Sequence, residues 1–291
     1  MAFMHRGLFR VMRKVILYIV YGEDQAYYDG AKFSFLTFMN WIEADSPIEF
    51  LVLTEKPNEF KDYPVKIIKI SNQQKEDWSL NGKYHFRIKN RGMAYVMDKL
   101  ELTDKDKILF FDTDTYFNKS PLGLFDLITN EQALMYLNEG LIYKRKRFSI
   151  YVRHLEDKTI EIDNFSYQLT KESSMWGSLM VGLMGNMRPS LEIADSLMLE
   201  FFKRVPAHTI EPFALSETLL KKYKVVEGKK LVNLYSTSRK KEYCKKILSK
   251  FFKDICDFNI EDKINLAQKI KLKRPIYIVL KQRFLRLLIK K

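Results

Sequence analysis

The chain has 291 residues, 46% hydrophobic and 14% aromatic, enough to fill one large α/β domain, alone or with a small appendage. That content excludes a disordered chain, and the two cysteines, Cys244 and Cys256, lie in a Lys-rich tract that fits neither a disulfide framework nor a zinc site. A formal net charge of +14 points to an anionic partner: nucleic acid, an anionic membrane face or a phosphorylated ligand.

Arg6, Arg10, Arg13 and Lys14 precede the apolar run Val15 to Tyr21, as in the first two regions of a signal peptide. The run is too short to span a bilayer, and Glu23 and Asp24 end it without a small-residue cleavage site. It reads as a buried first strand, and the protein is expected in the cytoplasm. Phe33, Phe35, Leu36, Phe38, Met39 and Ile42 then recur at helical spacing. Glu49 to Thr54 and Val65 to Ile70 read as the second and third strands, a helix runs from about Lys83 to Leu100, and Lys107 to Phe111 is the fourth strand. Alternating strands and helices predict a doubly wound, mostly parallel α/β sheet with helices on both faces.

Beyond Asp114 the alternation loosens. Glu131 to Leu141 suits a strand, Tyr143 to Phe165 is polar with weak periodicity, and Trp176 to Met184 reads as a strand with glycines at points of close approach. Pro189 and Pro212 open two helices, Lys229 to Leu234 suits a last strand, and a basic helical tail follows. The expected division is one α/β domain over residues 1–240 and a basic helical tail over 241–291.

The most informative segment runs from Ile108 through Asp112-Thr-Asp114 to Phe117. An apolar strand leads into two acids spaced by one residue, and on an extended backbone both project to the same side. Ligands of open α/β sheets bind at the carboxyl ends of strands. Converging acids repel unless a cation lies between them, and oxygen-only ligands favour Mg²⁺ or Mn²⁺. Chemistry that needs this arrangement is departure of a nucleoside diphosphate, with the cation as Lewis acid. The same residues also suit a polar turn; the apolar strand and the preceding strand–helix units favour the site.

With these residues the chain resembles the GT-A glycosyltransferases, in particular the glycogenin-like and bacterial lipopolysaccharide galactosyltransferase-like branch. Asp112-Thr-Asp114 matches their Asp-X-Asp motif, and Ser120 to Asp126 resembles the stretch that follows it. The resemblance implies that Tyr21 and Gly22, in the exit loop of the first strand, touch the nucleotide. It also implies that a basic residue on the helix before the acid strand contacts the donor; Lys83, Arg87, Asn90 and Arg91 lie near one face, and Arg87 is the preferred candidate. The same positions also suit a solvated face. Gly177-Ser178 resembles the family's sugar-pocket strand, with Trp176 where an Asn is common. Glu211, in His208-Thr-Ile-Glu211-Pro, is the candidate to orient the acceptor or act as general base, or else only a helix-start acid. The family's third metal ligand is commonly a His, but none follows His208 here; Asn233 is the oxygen candidate, and Arg239 and Lys241 are candidates to hold diphosphate directly.

The implied function is metal-dependent sugar transfer from a nucleotide-sugar, with UDP-sugars the usual donors, to a glycan or glycolipid acceptor in bacterial cell-surface polysaccharide synthesis. Lys269 to Lys291 interleaves basic and apolar residues near helical spacing, which suits either a helix on an anionic membrane surface or one packed on the domain. Nucleotidyl or phosphoryl transfer is the second enzymatic reading, disfavoured by the lack of a P-loop or a Gly-rich nucleotidyltransferase signature. A nucleic-acid binder is the third; the scattered basic residues and lack of a binding motif disfavour it.

Overall fold

The computed structural model describes residues 12–43, 45–162 and 165–275. β1 (Lys14–Val20) is buried beyond its first residue and turns into α1 (Gln25–Met39), where the Asp24 carboxylate accepts the Ala26 N–H as a cap. β2 (Ile48–Thr54) and β3 (Lys66–Lys69) follow. A Ser71–Gln74 capping box then starts α2 (Asn72–Trp78), and α3 (Arg87–Lys99) leads into β4 (Lys107–Phe111). Past the acids lie β5 (Thr115–Tyr116), β6 (Gln132–Leu141), α4 (Ser149–Leu155), β7 (Thr159–Ile162), β8 (Phe165–Gln168) and β9 (Ser174–Met184). The remaining elements are α5 (Arg188–Arg204), α6 (Ile210–Leu220), β10 (Lys224–Glu227), β11 (Asn233–Leu234), α7 (Ser238–Asp254) and α8 (Ile260–Ala267).

Seven strands form one sheet in the order β10-β6-β9-β4-β1-β2-β3, and only β9 runs against the others. The chain moves from β1 outward to β2 and β3, then returns to the other side of β1 as β4. Right-handed crossovers taken in opposite directions place their helices on opposite faces. Accordingly α1, with α7 and α8 packed on it, covers one face, while α3, α5 and α6 pack together on the other. The order reverses between β1 and β4, so a crevice opens at their carboxyl ends. The α/β class and mostly parallel sheet agree with the sequence reading.

Several details differ. The helix expected from Lys83 begins at Arg87: Leu80 to Gly82 take left-handed backbone angles, and the Lys83 and Tyr84 N–H groups bond back to the Leu80 and Ser79 carbonyls in the turns that precede it. The Tyr143–Phe165 stretch contains α4 and β7, and its apolar side chains Phe148, Tyr151, Leu155 and Ile160 belong to a second buried cluster with α5 and α6. Lys229–Leu231 is a 3₁₀ turn, leaving only Asn233–Leu234 as strand. The boundary expected at 240/241 falls inside α7, whose Cys244, Leu248 and Phe251 belong to the main core. Of the basic tail, residues 269–275 carry no helix, and 276–291 lie outside the described residues. Among the described residues no helix is long and apolar enough to cross a membrane.

Candidate functional site

Both strands at the sheet's switch point end in the residues singled out by sequence. β1 leads to Tyr21 and Gly22, and Gly22 takes φ +94°, a conformation that favours glycine, which turns the chain into α1. The Tyr21 hydroxyl donates to the His85 carbonyl at 3.0 Å, and burial beside Asp112 and Glu211 raises its pKa.

β4 leads to Asp112, where the backbone departs from the extended form expected. Residues 112–115 make a turn: the Thr115 N–H donates to the Asp112 carbonyl at 3.2 Å, and the Thr115 hydroxyl donates to the same oxygen at 2.8 Å. The turn is anchored from below by a chain of hydroxyls, Tyr18 to Ser34 at 3.0 Å and Ser34 to Thr115 at 2.9 Å. It also rests on α1 at Gly30, where a Cβ would lie 2.3 Å from the Thr113 carbonyl and 2.8 Å from the Tyr235 hydroxyl. The Tyr235 hydroxyl donates to that carbonyl, and its backbone N–H to the Asp114 carbonyl. The Asp-Thr-Asp-Thr segment is therefore both a turn and a fixed platform for two carboxylates.

Behind Asp112 is a buried charge network. Lys89, on α3, places its ammonium 3.0 Å from Glu211 Oε2 and 3.9 Å from Asp112 Oδ2, and donates to the Ser178 hydroxyl at 2.8 Å. Ser178 in turn donates to Glu211 Oε2 at 2.8 Å, and the Glu211 N–H donates to the Tyr84 hydroxyl at 2.8 Å. Burial pulls Lys89 down, but Asp112 and Glu211 outweigh it, and its pKa stands above the ordinary value. Burial, opposed by Lys89 and reinforced by Asp114 and Glu211, leaves the Asp112 pKa raised to about 7. Burial likewise raises Glu211, against the pull of Lys89 and Ser178.

The second acid, Asp114, is 8% exposed at its side chain and pairs through Oδ2 with Lys241 of α7 at 2.9 Å. Its Oδ1 is buried without a hydrogen-bond partner. Among the described residues no group of three or more His, Cys, Asp or Glu side chains is placed to hold a metal. Mg²⁺ and Mn²⁺ keep several waters and bind through one or two carboxylates plus substrate phosphates. Two carboxylates, one with an unsatisfied buried oxygen, fit such a cation and do not make a closed zinc cage.

The other sequence candidates fall in different places. Arg87 does not join the acids: it holds Asp195 of α5 in a two-pronged ion pair, at 2.7 and 2.6 Å, and donates to the Asp77 carbonyl. Asn90 donates to the Leu191 carbonyl and Arg91 pairs with Glu192, so this face of α3 is its seam with α5. Glu211 does join the site, but it is 1% exposed and its Oε2 is taken by Lys89 and Ser178. Asn233 pairs with Tyr116 in the β11–β5 ladder; among the described residues no hydrogen bond or ion pair ties its side chain, or that of Arg239, to the acids. Lys241 fills that role instead. Gly177 sits beneath Glu139 and Tyr136, where β6 carries irregular pairing with β9. Reasoning from sequence missed Lys89 and Tyr84. Lys89 was signalled by register, since it lies three, four and seven residues before Gly92, Met93 and Val96 on the buried stripe of α3.

No protein-family model matches the chain, and no curated protein matches it.

Proposed function

We propose that this protein is a metal-dependent glycosyltransferase of GT-A type that uses a nucleotide-sugar donor, UDP-linked by preference. The carrying observation is that Asp112 and Asp114 leave β4 at the switch point beside the Tyr21–Gly22 exit of β1, on a turn fixed from beneath. Asp112 and Asp114 would hold a divalent Mg²⁺ or Mn²⁺, which when bound would supply Lewis-acid stabilisation for departure of the diphosphate. Tyr21 and Gly22 border the place for the nucleoside, and Lys241, its side chain half exposed and its ammonium on Asp114, stands at the diphosphate edge. Lys89 neutralises the acid pair from the protein side, and Glu211 fixes Lys89; Glu211 is thus a positioning residue in this reading, not the general base. In the reaction the bond between the sugar's anomeric carbon and the diphosphate oxygen breaks. A bond from an acceptor hydroxyl oxygen forms, the nucleoside diphosphate leaves with the electron pair, and one proton is released overall.

The acceptor in this reading is a glycan or glycolipid of a bacterial cell surface, assembled at the cytoplasmic membrane face. A panel of UDP-, GDP-, CMP- and dTDP-sugars with Mn²⁺ tests the donor assignment by release of free nucleotide. Metal-dependent release from one of them, abolished by joint Asp112→Asn and Asp114→Asn substitution, is expected. Release that ignores both substitutions would sink the reading.

A further inference from the structure

On α7, Arg239, Lys241, Lys245, Lys246, Lys250 and Lys253 occupy one half of the helix. The other half carries Cys244, Leu248 and Phe251, buried in the core against α1. Glu242 is the single acid on the basic half. A shallow, widely open groove of about 630 Å³ lies between side chains of α7 itself, lined by Glu242, Lys245, Lys246, Ser249, Lys250 and Lys253. The basic face continues beyond the groove lining toward the candidate site: Lys245 holds Asp24, the cap of α1, at 2.8 Å, and one turn nearer the helix start Lys241 holds Asp114 at 2.9 Å. Further out, Lys246 has only Glu242 at 3.4 Å, and among the described residues Lys250 and Lys253 have no carboxylate partner. From Lys241 to Lys253 the face runs about 18 Å at the helical rise. That is longer than a diphosphate needs.

We propose that this face binds an anionic acceptor glycan, a chain carrying repeated carboxylates or phosphates, and leads its end to the acid pair. The inference rests on the glycosyltransferase reading and adds the charge class of its acceptor. Charge complementarity selects a polyanion, and Lys241, one turn from Lys245 on the same helix and paired with Asp114, ties the face to the reacting end. A membrane surface fits less well, because a helix lying in the interface needs an exposed apolar face, and that of α7 is spent on α1. A nucleic acid fits less well too, because single strands are held by stacking on aromatic rings and the groove lining has none.

The test is fluorescence anisotropy with labelled oligogalacturonate, a labelled glycerol-phosphate oligomer and neutral dextran, at low and physiological salt and without donor. Wild type is expected to bind one or both anionic oligomers in a salt-dependent way and to ignore dextran. The oligomer bound more tightly identifies carboxylate or phosphate as the recognised group. Joint Lys246→Gln, Lys250→Gln and Lys253→Gln substitution is expected to weaken that binding about tenfold, as loss of three exposed charge contacts implies. Joint Lys99→Gln, Lys105→Gln and Lys119→Gln substitution changes the net charge equally on exposed lysines elsewhere and is expected to leave binding intact. Equal weakening by both sets, or binding only to phosphatidylglycerol vesicles or DNA, would overturn the inference. Nucleotide release from the donor is read separately. The α7 variant is expected to retain it; a protein that binds the oligomer through α7 but fails with every donor would refute the transferase reading alone.

Discussion

Lys89 occupies a position where a lysine is costly. It is buried on the sheet-facing stripe of α3, and only Asp112, Glu211 and Ser178 make its charge tolerable. Removing one member of such a pair strands the other, which costs about 3–5 kcal/mol. Lys89→Met is therefore expected to lower unfolding free energy by about 3 kcal/mol, and adding Glu211→Gln to recover more than half of it, in urea titrations. A double variant as unstable as the sum of the single ones would show that the two groups do not act as a pair. Gly30 makes a second residue-scale argument. The Thr113 carbonyl lies where its Cβ would be, so Gly30→Ala must push the acid turn or α1 aside. The expected loss is about 1–3 kcal/mol in thermal melts, with weaker UDP binding, although Gly30 itself touches no ligand in the proposed reading.

Among the elements, α3 shows how one helix serves two purposes. Its sheet face delivers Lys89 to the acids, while Arg87, Asn90 and Arg91 join it to α5. The charged face was legible in sequence, but its direction was not, since spacing alone cannot tell a phosphate-facing arginine from one facing a carboxylate on a neighbouring helix. The two roles separate by experiment. The Arg87–Asp195 pair is nearly buried, 11% and 6% exposed, so Arg87→Ala is expected to cost about 3 kcal/mol in denaturant titration. UDP affinity of the folded variant is expected to stay that of wild type; a large loss of affinity without loss of stability would return Arg87 to the donor site. α7 offers a parallel case. Its lysines assigned it to a basic helical tail outside the α/β domain, yet Cys244, Leu248 and Phe251 recur at spacings of four and three and belong to the main core. A narrow apolar stripe is easily hidden among so many charges.

For the whole molecule, sequence carried the sheet further than the site. β1, β2 and β4 are continuous apolar runs because both faces are covered, which is why they and the α/β class could be read directly. The reversed direction of β9, the second core around Tyr151, Tyr167 and Phe213, and the small β7–β8 ladder depend on contacts between distant segments. Of the candidate site, Asp112 and Asp114 follow β4 and Tyr21 and Gly22 follow β1 as the apolar runs implied, but the acids stand on a turn and not on the extended backbone expected. Lys89, Ser178 and Glu211 meet only through folding, since 89 positions separate Lys89 from Ser178 and 33 separate Ser178 from Glu211. Asn233 faces the ladder partner Tyr116, and no local signal distinguished it from Lys241.

The most direct test of the account is calorimetric titration of UDP into wild type and into the joint Asp112→Asn, Asp114→Asn variant, each with and without Mn²⁺. The account predicts UDP binding by wild type that requires Mn²⁺ and disappears in the variant, with both proteins equally folded by circular dichroism. Equal binding by the two proteins, or binding that Mn²⁺ leaves unchanged, would contradict it and reduce the acid pair to a turn.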